Sequence, residues 1–137
     1  MTTTQARNRQ SGSAFESLLK SRLIEAGLDA WNLGYNERAD ILVVNGKDRI
    51  IECKTTHGET YRLSKNAKQH QRLVQYAAEH TETSVYYAVK HIIAHKSFIK
   101  FYFLPQITGK YLNVHDKNSY TLIEFIEHCN AVRREHA

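Results

Sequence analysis

The sequence predicts an α/β domain built on a central mixed five-stranded β-sheet flanked by helices, and three observations carry that prediction. Phe15, Leu18, Leu19, Leu23 and Ala26 recur at spacings of three and four, the period of a helix that buries one face. Two β-branched runs, Ile41–Val44 and residues 49–52, flank Asn45-Gly46, a strong short-range hairpin signal. Two further strand-like runs, Ser84–Ile93 and residues 98–104, follow a second helical stretch; with a short run at 28–33 they bring the strand total to five.

The elements follow in order. Residues 1–10 are polar and Thr-rich and read as a poorly ordered tail, leaving 11–137 as a single domain. Ser13-Ala14-Phe15-Glu16 matches a capping box that would start the first helix, and Gly27 stands where a helix stops. Trp31, the sole tryptophan, is expected in the core. Residues 34–38 form the loop entering the hairpin, and 55–63 a polar connection. Ser64 is the expected N-cap of a helix through Ala67, Gln71, Val74 and Ala78, whose other face carries Lys65, Lys68, His70 and Arg72. His91 and His95 read as surface or turn histidines rather than a zinc pair. After a loop at 105–119, with a short strand at 111–114 as an option, Thr121-Leu122-Ile123-Glu124 forms another capping box. It opens a closing helix that buries Leu122, Phe125, Ile126, Cys129 and Val132.

Composition narrows the function classes. A chain of 137 residues is one domain with room for a core. A formal charge of +5 and a pI near 9.2 suit a nucleic-acid partner without demanding one. The apolar runs are too short for a membrane span and the N-terminus lacks a signal-peptide core, so a cytoplasmic protein is expected. Cys53 and Cys129 make neither a disulfide framework nor a zinc spacing and read as buried thiols.

The hairpin concentrates the chemistry. Alternation along its second strand puts Glu52 and Lys54 on one face and Cys53 on the other. A two-residue loop at Asn45-Gly46 would pair Asp40 with Ile51 and turn it away from Glu52. An odd loop, three residues at 45–47 or five at 44–48, puts Asp40 opposite Glu52 and Leu42 opposite Ile50. We take the three-residue loop. Two carboxylates and an ammonium on one patch are what a divalent cation and an activated water need, whereas a solvent-facing ion pair would contribute little. Charges at the end of a strand with aliphatic residues on both faces are costly unless they are used.

An Asp, a hairpin and then Glu-x-Lys, preceded by a helix bearing a further Glu, resembles the PD-(D/E)xK nuclease superfamily with its restriction-endonuclease-like fold. Within it, the chain is most similar to the archaeal-type Holliday junction resolvases. RQSGSAFE at 9–16 resembles that family's basic, Gly/Ser and Glu segment, residues 63–78 its following helix, and residues 98–132 its closing strand and helix. Ala39 stands where the superfamily often has Pro, and Ser17 where some resolvases carry Arg. The resemblance implies a metal-dependent endodeoxyribonuclease that cleaves four-way DNA junctions in recombination and repair as a homodimer. A restriction-like or repair nuclease, or a silent DNA-binding module, are the alternatives. It implies Mg2+, with Mn2+ as a substitute, held by Asp40, Glu52, the Cys53 backbone carbonyl and Glu16, with Lys54 orienting the attacking water. Glu16 is equally readable as the Ser13 capping partner. DNA contacts are expected from Arg9, Lys20, Tyr35, Arg38, Lys65, Lys68, Gln69 and Arg72. Tyr86, Ile99, Phe101 and Phe103 are candidates either for a self-association face or for the second face of a covered sheet.

Overall fold

The β-branched and aromatic run SVYYAVKHII lies parallel to DRIIECKTTH over nine consecutive residue pairs, from Arg49↔Ser84 to His57↔Ile92, and this pairing is the centre of the molecule. The structure, a computed structural model, describes the backbone of residues 4–34 and 39–135 and the side chains of 14–34 and 39–131. The elements are α1 (Thr4–Glu25), β1 (Asp29–Asn32), β2 (Ile41–Val44), β3 (Asp48–His57), β4 (Thr60–Arg62), α2 (Ala67–Glu79), β5 (Ser84–Ile93), β6 (Lys96–Phe103), β7 (Tyr111–Asn113), β8 (Tyr120–Thr121) and α3 (Leu122–Glu135). The main sheet runs β1-β2-β3-β5-β6-β8, mixed because only β3 and β5 are parallel. The mixed sheet flanked by helices is as expected, but it has six strands rather than five. The sixth, β8, is two residues pinned to Lys100 and Phe101, too short to show a period. Within the stretches read as connections, β4 and β7 pair into a separate two-stranded ribbon. Their residues lie some fifty positions apart, and no local signal joins them.

Both sheet faces are covered. Phe15, Leu19 and Leu23 of α1 and Phe125 and Cys129 of α3 pack on Ile41, Val43, Ile51, Cys53, Tyr86, Ala88 and Phe101. Leu73 of α2, with Tyr61 and Leu112 of the ribbon, packs on Ile50, Val85, Tyr87, Val89 and Tyr102. The expected self-association face is therefore interior on one side of the sheet. Phe101 stacks on Phe125 at 4.2 Å, Tyr86 meets both Phe125 and Phe103, and Ile99 packs against the same cluster.

Several local expectations shift. α1 takes in residues 4–10, so Ser13 lies inside the helix and starts nothing. Its far end is as expected: Gly27 takes φ +89°, and the Gly27 and Leu28 amides bond the Ile24 and Leu23 carbonyls at 2.9 and 3.0 Å while Leu28 covers Leu23. Ser64 sits in a 3₁₀ turn, Leu63–Asn66, and α2 begins one residue after it; the helix buries Leu73, not Val74. The Thr121–Glu124 capping box forms reciprocally, at 2.8 and 3.2 Å. His95 is a turn residue at φ +66°, but His91 is buried. Its ring nitrogens lie 3.1 Å from the Gly58 carbonyl and 2.9 Å from the Tyr102 hydroxyl, which itself lies 2.9 Å from the Asn113 carbonyl, so His91 fastens the ribbon to the sheet. Trp31 is not in the core but 59% exposed on the edge strand, its indole N–H donating to Asp29 Oδ1 at 2.7 Å.

A Cβ at Gly27 would meet nothing within 4 Å, so the cost of Gly27→Ala is conformational alone. We expect a loss of about 1 kcal/mol in urea unfolding with an unchanged slope, and a smaller loss for Gly27→Asn.

Candidate active site

The hairpin loop spans Asn45, Gly46 and Lys47, because Val44 pairs with Asp48 and Leu42 with Ile50. Gly46 supplies the positive φ, +78°, that such a loop needs. Buried Arg49 closes it from beneath, its guanidinium donating to the Asn45 and Lys47 carbonyls at 3.5 and 3.4 Å, while Asn45 Nδ2 donates to the Cys129 carbonyl of α3. The three-residue register thus holds from Ile41 to Val44, and Asp40 follows just past the ladder at the open end of the hairpin, with its carboxyl close to that of Glu52.

Asp40 is fixed on both sides: its amide donates to the Ile51 carbonyl at 3.0 Å, and its carbonyl accepts from Leu33 at 2.9 Å. Its Oδ2 accepts the Cys53 amide at 2.8 Å. Because the N–H and C=O of one strand residue point to the same edge, the Cys53 carbonyl is turned toward the Asp40 side as well. The Cys53 thiol faces the opposite core. Glu52 is only 3% exposed; its Oε1 lies 3.5 Å from Lys54 Nζ, and its Oε2 is buried with no hydrogen-bond partner among the described residues. Lys54 also donates to Gln69 Oε1, which accepts from Asn66 Nδ2 at 3.0 Å as well, so the first turn of α2 aims Gln69 at the ammonium.

Glu16 comes from α1 and lies beside the Asp40 carboxyl. With no helix start at Ser13, the capping reading of Glu16 falls away. Burial first, and the Asp40 charge second, push Glu52 up to about 8; the same causes in the same order push Glu16 up to about 7, with Lys54 opposing both. Tyr61 and Tyr87 line the inner side of Glu52, and burial followed by the Glu52 charge raises both phenols. The Tyr87 hydroxyl is held by His70 Nδ1 at 2.8 Å, which places His70 against the sheet rather than on the solvated helix face. The sequence reading missed these two tyrosines because their position depends on which strand pairs with β3, and nothing local encodes that.

The structure thus gathers Glu16, Asp40, Glu52, Lys54 and Gln69. Lys20 is half-buried on α1, Lys65 is exposed in the 3₁₀ turn before α2, and Lys68 and Arg72 are exposed on α2. Tyr35, Arg38 and the Arg9 side chain lie outside the described residues. Among the described residues no three His, Cys, Asp or Glu side chains are arranged as a ready-made metal cluster. The orphaned Glu52 Oε2 beside Asp40 nevertheless offers hard oxygen donors with unmet valence, which suits a cation that keeps several waters and takes one or two carboxylates.

No family model and no curated protein sequence matches the chain. Among solved structures it is similar to Hjc of Archaeoglobus fulgidus, a Holliday junction resolvase from an archaeal hyperthermophile, at 22% identity and a TM-score of 0.65, covering 85% of this chain and 96% of that one. The chain therefore has the fold of that archaeal resolvase.

Because the folded protein holds protons on Glu52 that the unfolded chain releases above 4.5, folding stability without a divalent ion falls as pH rises from 4.5 to about 8. Thermal unfolding in EDTA across that range should show the fall, and Glu52→Gln should flatten it and raise the melting temperature by several degrees near its upper end. A divalent ion titrated into weakly buffered protein near neutral pH should release protons, with less release from Glu52→Gln.

Proposed function

We propose that this protein is a divalent-metal-dependent endodeoxyribonuclease that cleaves four-way DNA junctions as a homodimer. The observation that carries the reading is the convergence of Asp40, Glu52 and Lys54 on one face, produced by the three-residue loop and completed by Glu16 from α1. The shared fold with an archaeal resolvase supports it.

Asp40, Glu52 and the Cys53 carbonyl would hold Mg2+ or Mn2+, with Glu16 as an accessory carboxylate. A bound ion of this kind supplies positive charge at the scissile phosphate and acidifies a water. Lys54, kept in place by Glu52 and Gln69, presents its ammonium where charge builds up on the phosphorus oxygens and orients the attacking water. Lys65 in the 3₁₀ turn, Lys68 and Arg72 on α2 and Lys20 on α1 offer phosphate contacts at the margins. A four-way junction has two strands of like polarity to cut, and two-fold pairing supplies both incisions in one encounter. Of the four residues expected at a pairing face, Tyr86 and Phe101 are interior, while Ile99 and Phe103 are half-buried.

Labelled four-way junction, duplex and single strand incubated with Mg2+ or EDTA test the reading: paired cuts in the junction with Mg2+ alone are expected. Asp40→Asn, Glu52→Gln and Lys54→Ala should each lower cleavage by more than about 100-fold, the upper end of what even an outer-shell partner costs, with junction binding nearly unchanged. A wild-type cleavage rate in any of the three refutes the site. Light scattering at micromolar protein should report a dimer; a monomer that only nicks would point to a general repair nuclease instead.

A further inference from the structure

Trp31 has no structural occupation that accounts for its position. Its pair partner across β1–β2 is Leu42, so its ring rises on the face that carries Leu42, Ile50 and, further along, Asp40 and Glu52. It is 59% exposed, yet its indole N–H is already satisfied by Asp29, so what it shows to solvent is π surface and hydrocarbon held at one angle. Leu33, two residues on and about 7 Å along the strand, bonds the Asp40 carbonyl.

Beside the tryptophan, the same sheet face carries a slot of about 160 Å³ lined by Leu33, Ala39, Leu42, Ile50, Tyr76 and Thr83, with Asp48 at its edge. That volume is close to the roughly 150 Å³ in which an apolar cavity takes up a benzene ring, and too small for a peptide segment. Leu42, the pair partner of Trp31, lines the slot, as does Ala39, the residue before Asp40.

We propose that Trp31 and the adjoining slot form a nucleobase site, in which a base unstacked at the branch stacks on the indole while its strand passes the carboxylates. The proposal rests on the nuclease reading and adds to it a residue that distinguishes branched or single-stranded DNA from continuous duplex, where no base is free to leave the stack. A nucleobase needs only the ring face and leaves the Asp29 and Asn32 side chains hydrated, both being exposed on β1. A second protein copy laid on this edge would have to bury them. The chain's charge of +5 favours DNA association as a whole, and because Asp29 and Asp48 adjoin the indole and the slot, it is stacking that would hold the base there.

Because Trp31 is the only tryptophan, its fluorescence reports on this site alone. The wild-type protein in EDTA is titrated with a four-way junction, a single strand and a continuous duplex, each end-labelled so that anisotropy measures binding independently. Junction and single strand should quench the tryptophan; duplex should bind with little quenching. Trp31→Leu should weaken junction and single-strand binding about 5- to 100-fold and leave duplex binding unchanged, and Trp31→Phe should recover most of the loss. Junction binding with no quenching and an unaffected Trp31→Leu variant overturns the base site and leaves the nuclease reading standing. No binding of any DNA overturns both. A fluorescence shift with protein concentration alone, before DNA is added, shows that a second copy covers Trp31 and overturns the base site.

Discussion

Pairing register is the constraint on which the rest depends. Side chains alternate along β2 and β3, so a loop one residue shorter would send Asp40 to the face that holds Cys53 and leave Glu52 alone. Three features resist that slip: Gly46 at positive φ, the Arg49 guanidinium across the loop carbonyls, and the Cys53 amide on the Asp40 carboxyl. The first two act at the closed end of the hairpin and the third at the open end. Arg49 is a buried cation spent on backbone carbonyls, an expensive choice unless the loop must keep one geometry.

The site stores its chemistry as unmet electrostatic demand. Glu52 gives up hydration to sit between Asp40 and the tyrosines, and Lys54 only partly offsets the loss. A carboxylate buried this way is one whose charge would gain from a nearby cation, so the burial that disfavours its charge is also what a metal at this place, as proposed, would offset. α2 contributes from the far side by steering Gln69 to Lys54, tying the helix that carries Lys68 and Arg72 to the ammonium.

Local signals were strong where local chemistry decides. The Asn45-Gly46 turn, the Thr121 capping box, the Gly27 helix stop and the Glu52-Cys53-Lys54 alternation could all be read in the sequence, because each depends on residues within a few positions. Ser13-x-x-Glu16 has the letters of a capping box, but the helix begins upstream, and Glu16 serves Asp40 across elements instead. Trp31 was misplaced because large aromatic residues usually help fill cores, and nothing in its neighbours marks an edge strand. The ribbon of β4 and β7, the tiny β8 and the tyrosines beside Glu52 all depend on partners distant in sequence, where patterning within one segment carries no information.

The parallel pairing of β3 with β5 has a consequence for how the molecule comes into being. The hairpin closes on its own within a dozen residues, but one of its faces stays wet until α2 has crossed over and β5 has docked, some thirty-five residues later. Non-local parallel pairing is slow to nucleate because the loop must close before its contacts reward it. During synthesis the carboxylates are therefore in hand early, yet Glu52 is neither buried nor flanked by Tyr87 until the chain has passed residue 93. The charged cluster thus takes its final surroundings only after β5 has paired.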